Sequence, residues 1–126
     1  MRQLLLAYNQ PLLFVDADSY FTEHPEPLFA RNENLDVGLN HNVAAWAPWR
    51  QFSATQVYVD ASRGGVLFAR YLRNLFLNIY APGSPHNFWI DQGILAHAFE
   101  TSRVVGDRIR FGDNRATRWS GAVHHK

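Results

Sequence analysis

Pro11-Leu-Leu-Phe-Val-Asp-Ala-Asp-Ser19 is the stretch on which the reading of this chain turns. Leu12 to Val15 is continuous and apolar, bounded by Pro11 on one side and polar residues on the other, and reads as a short buried strand. Asp16 and Asp18 follow at its carboxyl edge. Residues two apart on an extended segment point the same way, so both carboxylates can face one pocket. A hard divalent cation such as Mg²⁺ or Mn²⁺ takes oxygen ligands, often only one or two carboxylates, and leaves its other positions to water and substrate phosphates. The cleft beyond the carboxyl ends of strands is also where open α/β sheets bind ligands. The same Asp-x-Asp pattern caps helices and begins turns, so residue types alone leave both uses open.

Upstream, Gln3 to Asn9 reads as the end of a helix, with Leu4, Leu5 and Tyr8 able to share a face and Asn9-Gln10-Pro11 stopping it. Downstream, the prolines of Tyr20 to Phe29 allow a turn and a short helix start. Asp36 to Asn40 and Gln56 to Asp60 alternate as strands do. Between them lies an aromatic loop, His41 to Phe52, in which Trp46 and Trp49 are read as packing on the core, with stacking on a sugar face as the alternative. Gly64-Gly65 reads as a turn or a place where backbone comes close to a ligand, and Val66 to Phe68 as a second buried strand. Apolar residues at Leu72, Leu75, Phe76 and Ile79 recur at helical spacing over Tyr71 to Tyr80, leaving Arg70, Arg73 and Asn74 on a solvated side. A second helix begins in Phe88-Trp-Ile-Asp-Gln92, where Asp91 is favoured by the helix dipole whatever else it does. Val104 to Phe111 offers two strand-like pieces around a turn. His24 and His97 read as loop and structural residues. Strands alternating with helices predict an α/β domain.

The chain has 126 residues, 47% hydrophobic and 14% aromatic, enough for one domain with a modest core. A formal charge of +1 gives no basic excess, so nucleic acid is not an expected partner. The lack of cysteine excludes disulfides and thiolate chemistry. The apolar run after Met1 is too short and too interrupted for a signal peptide or a membrane span, so a cytoplasmic location is expected.

Four motifs in order resemble the nucleotide-diphospho-sugar transferases of the GT-A fold, closest to the glycogenin-like and related retaining families. They are the strand ending in Asp16-Ala-Asp18, the Gly-Gly-Val-Leu-Phe68 segment, the Phe-Trp-Ile-Asp-Gln-Gly-Ile-Leu95 helix start and the late Val-His-His-Lys126. The likeness runs from Leu4 to Lys126 and matches the later part of such a domain. It implies a partial GT-A fold over residues 1–126, a mixed sheet flanked by helices, lacking the nucleotide-binding unit with which family members open. It also implies transfer of a sugar from a nucleotide donor, a UDP-sugar being favoured, to an unknown acceptor. By resemblance, Asp16, Asp18 and His124 or His125 hold Mn²⁺ or Mg²⁺ against the donor diphosphate, and Asp91 and Gln92 lie by the donor sugar and reacting centre. Lys126 meets phosphate, while Gly64, Gly65 and Trp89 fall at substrate-binding positions. The chain differs from the family where Arg63-Gly64-Gly65 stands in place of Asn-Ser/Thr-Gly, and where Ala96-His97 follows instead of an Asn.

Two other functions fit parts of the sequence. A catalytically dead carbohydrate-binding or interaction remnant would depend on Trp46, Trp49 and Trp89 rather than on the carboxylates. A two-metal phosphatase or nuclease would need a second acidic cluster, which the spacing of Glu23, Asp36 and Asp60 does not suggest. If strand Leu12 to Val15 lacks a neighbour, its open edge predicts self-association.

Overall fold

The computed structural model describes residues 1–16, 19–79, 90–106, 108–114 and 122–124. They form an α/β arrangement with a mixed sheet flanked by helices. The main sheet has four strands in the order β1 (Leu12–Val15), β4 (Phe52–Val59), β3 (Val37–His41), β5 (Phe111–Asp113). β4 is antiparallel to both of its neighbours, and β5 is parallel to β3. A separate two-stranded ribbon joins β2 (Ser19–Phe21) to β6 (Ala122–His124), and a single helical turn, α3 (Pro48–Gln51), leads into β4. Among the described residues β1 stands at a margin of the sheet and bonds to β4 alone.

Period-two alternation sorts the sheet residues between two layers of helix. Val37, Leu39, Val57 and Val59 face one side, where they share a buried core with Leu5 of α1 (Arg2–Tyr8), Phe68, Ala69 and Leu72 of α4 (Arg63–Ile79), and Ile94, Leu95 and Ala98 of α5 (Ile90–Val104). Tyr58 and Gly38 face the other, toward α2 (Glu26–Asn32), where Phe29 meets the Tyr58 ring edge-on at 5.6 Å. The α1 helix ends as its sequence foretells: Asn9 takes the left-handed conformation, φ 49°, and its N–H closes on the Leu5 carbonyl.

Two expectations are corrected. Gly64 to Phe68 is neither turn nor strand but the first turns of α4. Ser62 caps this helix by accepting the Gly65 N–H on Oγ at 3.2 Å, and residues 65, 68, 69 and 72 then bury one face at i, i+3, i+4 and i+7. The triplet Val-Leu-Phe looked like a strand because a short apolar run has no period of its own. Likewise Val104 is the last residue of α5, and only Phe111–Asp113 of the following segment is a strand. Arg70, Arg73 and Asn74 are exposed, as the helical pattern requires.

On the α2 side the sheet carries a buried pair of amides. Asn32 donates from Nδ2 to the Leu28 carbonyl at 2.9 Å and to Asn114 Oδ1 at 3.1 Å. Asn114 in turn donates to the carbonyls of Gly38 at 3.0 Å and Gln56 at 3.2 Å. Both side chains are almost wholly buried, so these bonds are needed to offset lost hydration. Gly38 makes room for them: a Cβ there would approach Asn32 Oδ1 to 2.7 Å and the Asn114 carbonyl more closely still. Gly38→Ala should therefore destabilise the fold by about 2 kcal/mol, read as a lower urea midpoint. Among the described residues nothing lies within 4 Å of the Cβ position of Gly93 inside α5. Gly93→Ala should raise the midpoint, by up to about 1 kcal/mol in free energy.

Candidate active site

With β4 reversed between them, β1, β3 and β5 run in one direction, and their carboxyl ends collect at one end of the sheet. Register aligns Phe14, Val57, Leu39 and Asp113 in one row across it. Asp16 comes two residues beyond Phe14, and alternation carried one step past the strand puts it on the side of Leu12 and Phe14, which pack on the helical core. On the same end, the His41 ring stacks on Phe52 at 4.5 Å and meets Phe99 at 5.4 Å. With Leu39, Phe111 and Asp113 these rings line a cleft of about 250 Å³. The His41 backbone N–H donates to Asp113 Oδ1 at 3.4 Å. Thr55 Oγ1 accepts from Asn40 Nδ2 at 3.1 Å and from Ser53 Oγ at 2.9 Å, adding a polar patch to the same end.

The direction of α5 brings Asp91 and Gln92 to this end. Phe99 packs against His41 at the carboxyl end of β3, whereas Gly106 and Arg108, just past the helix, share a cleft with Asp36 before the amino end of β3. The helix thus descends from the carboxyl to the amino end of the sheet. Its rise of about 1.5 Å per residue sets its first turn, two turns before Phe99, toward Asp16's end. There the Gln92 N–H donates to Asp91 Oδ1 at 2.7 Å, a carboxylate position favoured by the helix dipole.

The backbone of β6 pairs with the strand that follows Asp16. The Ser19 N–H donates to the Asp16 carbonyl at 3.0 Å, which sets β2 directly after β1. β2 then pairs antiparallel with β6 so that Ser19 lies opposite His124, Tyr20 opposite Val123 and Phe21 opposite Ala122. Residue 124 therefore lies opposite Ser19, whose N–H bonds to the Asp16 carbonyl. Asp18, Trp89, His125 and Lys126 lie outside the described residues, as do the side chains of Trp49 and His124. Among the described residues no group of three His, Cys, Asp or Glu side chains is placed to hold a metal ion. The strand register sets the backbone of residue 124 opposite Ser19, three positions after Asp16.

Gly64 and Gly65 lie at the other end of the sheet. They open α4 beside Asp36 and Asp60, and the length of β1 separates them from Asp16. A Cβ on Gly64 would come within 2.5 Å of Asp36 Cγ, and one on Gly65 would strike the Asp60 carbonyl. Both glycines let α4 close on the strand ends. Asp36 and Asp60, too far apart in sequence to suggest a cluster, meet there around Ser62. Asp36 accepts from Ser62 Oγ at 2.5 Å, from the Arg110 backbone N–H at 2.7 Å, and from Arg110 Nε and Nη2 at 3.2 and 3.0 Å. Burial by itself would push this carboxyl up, but the hydrogen bonds from Arg110 and Ser62 outweigh it and hold the pKa below its ordinary value.

Comparison with protein-family models, with curated proteins and with solved structures yields no match to this chain. Among the described residues no helix is long and apolar enough to cross a membrane. Trp46 departs from the packing expected of it: it is 79% exposed, with the Arg50 guanidinium 6.0 Å from its ring centroid. His24 and His97 are exposed, the former beside Glu26. His41 and Asp113 were not singled out in the sequence, although the two-residue step from apolar Phe111 to Asp113 at a strand end is the same signal that marks Asp16.

Because the Asp36 pKa is depressed in the folded chain, its contribution is complete above the unfolded carboxylate value. It is lost as pH falls from about 4 through the folded pKa. Asp36→Asn should lower stability at neutral pH by roughly 2 kcal/mol. It should also flatten the decline of stability on acidification below pH 4, as followed by urea denaturation across that range.

Proposed function

We propose that this chain is a GT-A-type glycosyltransferase unit that binds a metal-dependent nucleotide-diphospho-sugar, a UDP-sugar being favoured. The observation that supports the reading is the register of Ser19, three residues after Asp16, with His124. Supporting it, α5 carries Asp91 and Gln92 to the same end of the sheet, the end where strand carboxyl termini meet.

In this reading Asp16, Asp18 and His124 or His125 hold Mn²⁺ or Mg²⁺, which supplies charge stabilisation on the departing diphosphate. Lys126, two residues past His124, adds a point charge for the same phosphates. Asp91 and Gln92 position the donor sugar through hydrogen bonds to its hydroxyls. The chain's own work is thus to bind, orient and neutralise.

The exposed Trp46 favours a second reading, a carbohydrate-binding surface that uses the indole as a stacking face. Titration calorimetry with UDP and with GDP, each in Mn²⁺ and in EDTA, separates the two. The transferase reading expects nucleotide binding only with metal, weakened at least tenfold by Asp18→Ala and by His124→Ala and unchanged by Trp46→Ala. Absence of metal-dependent nucleotide binding by the folded chain, with oligosaccharide binding that Trp46→Ala abolishes, would replace it with the second.

A further inference from the structure

At the end of the sheet remote from Asp16, a cleft of about 490 Å³ is lined by Arg63, Arg108 and Arg110 together with Asp36, Ser62 and Gly64. Among the described lining residues its charge is unbalanced. Asp36 is the only carboxylate among the described lining residues, and its oxygens are taken up by Arg110 and Ser62. Asp60 stands behind the cleft and adds an attraction for Arg110, while its Oδ2 accepts the Ser62 N–H at 3.0 Å. Arg63 and Arg108 are exposed and make no hydrogen bond or ion pair with any described residue. Two guanidiniums therefore border a concave surface without a carboxylate of their own.

The geometry points to a second binding site in this cleft, for a phosphorylated small molecule held by Arg63 and Arg108, with Arg110 fixed by Asp36 as its floor. Guanidinium forks match the tetrahedral oxygens of a phosphate and bind them in pairs, which lysine does not do. The cleft has several times the volume of a phosphate group alone, so an attached ring or a second phosphate fits beside it. The Asp36–Arg110 contact leaves that guanidinium's side chain 60% exposed, open to a ligand on its outer side. The site lies at the opposite end of the sheet from the corner assigned to the donor and needs no metal.

The ligand's source is either inorganic polyphosphate or a sugar phosphate, and the probes distinguish them. Pyrophosphate and a hexose 6-phosphate are each titrated into the chain in EDTA, by calorimetry and by amide chemical-shift mapping. Saturable binding that weakens as salt rises is expected, with the largest shifts at Gly64, Gly106 and Arg110. Tighter binding of the hexose 6-phosphate would identify a sugar phosphate, and tighter binding of pyrophosphate a polyphosphate. Arg63→Ala with Arg108→Ala should weaken either at least tenfold without changing the thermal melt, and Asp16→Ala should leave both unchanged. Failure of both probes to bind, or affinity untouched by the arginine pair, would overturn the assignment. So would binding that disappears with Asp16→Ala, since it would belong to the other end of the sheet. None of these outcomes depends on metal-dependent nucleotide binding.

Discussion

The carboxylate of Asp36 is the point at which separate parts of the chain are tied together. It is 3% exposed and precedes β3 directly. It draws in the cap of α4 through Ser62, and it draws in the approach to β5 through both the backbone and the guanidinium of Arg110. A buried carboxylate without such donors would cost several kcal/mol, so the surrounding loops are held to the positions that supply them. The close approach this demands explains why two successive glycines open α4. With α4 anchored at that end, its last turns and the first turn of the returning α5 lie toward the opposite end of the sheet, where Asp16 lies.

The two ends of the sheet are consequently unlike. One is a tight network of charge, cap and backbone hydrogen bonds. The other gathers strand ends, aromatic rings and unrelated polar groups around a small cleft. Loops at strand carboxyl ends vary cheaply when the scaffold beneath them is secured elsewhere, the usual division of labour in α/β folds.

Much of this was legible in the residues. Leu12–Val15 is a strand with the boundaries its apolar run implies, α1 ends on the Asn9 cap that the sequence offers, and the alternation at Val37 and at Val57 marks the two buried strands. The failures share one cause. Val66 to Phe68 is too short a run to show a period, and the signal that would have assigned it to a helix is Ser62 with Gly65 behind it, a cap identifiable only once Asp36 is known to lie against it. Asp36 itself is invisible as a hub, because its chief partner is 74 positions away. For the site, the acidic strand end and the late histidines could be picked out singly. The pairing of β2 with β6, which sets Ser19 opposite residue 124, could not. Trp46 was misjudged because composition says how many rings a core can use but not which ones enter it.

The placement of β5 has a consequence for how the chain is made. A ribosome releases β1, β3, β4 and α4 well before Arg110, Asp113 and Asn114 leave the exit tunnel. Until then β3 lacks the β5 partner, Asn32 lacks the Asn114 amide and Asp36 lacks the Arg110 guanidinium. Parallel pairing across so long a loop is slow to form. The same late segment contributes both to the Asp36 network and to the cleft at the opposite end, so a chain halted before it would be deprived of stability and of a binding surface in a single step.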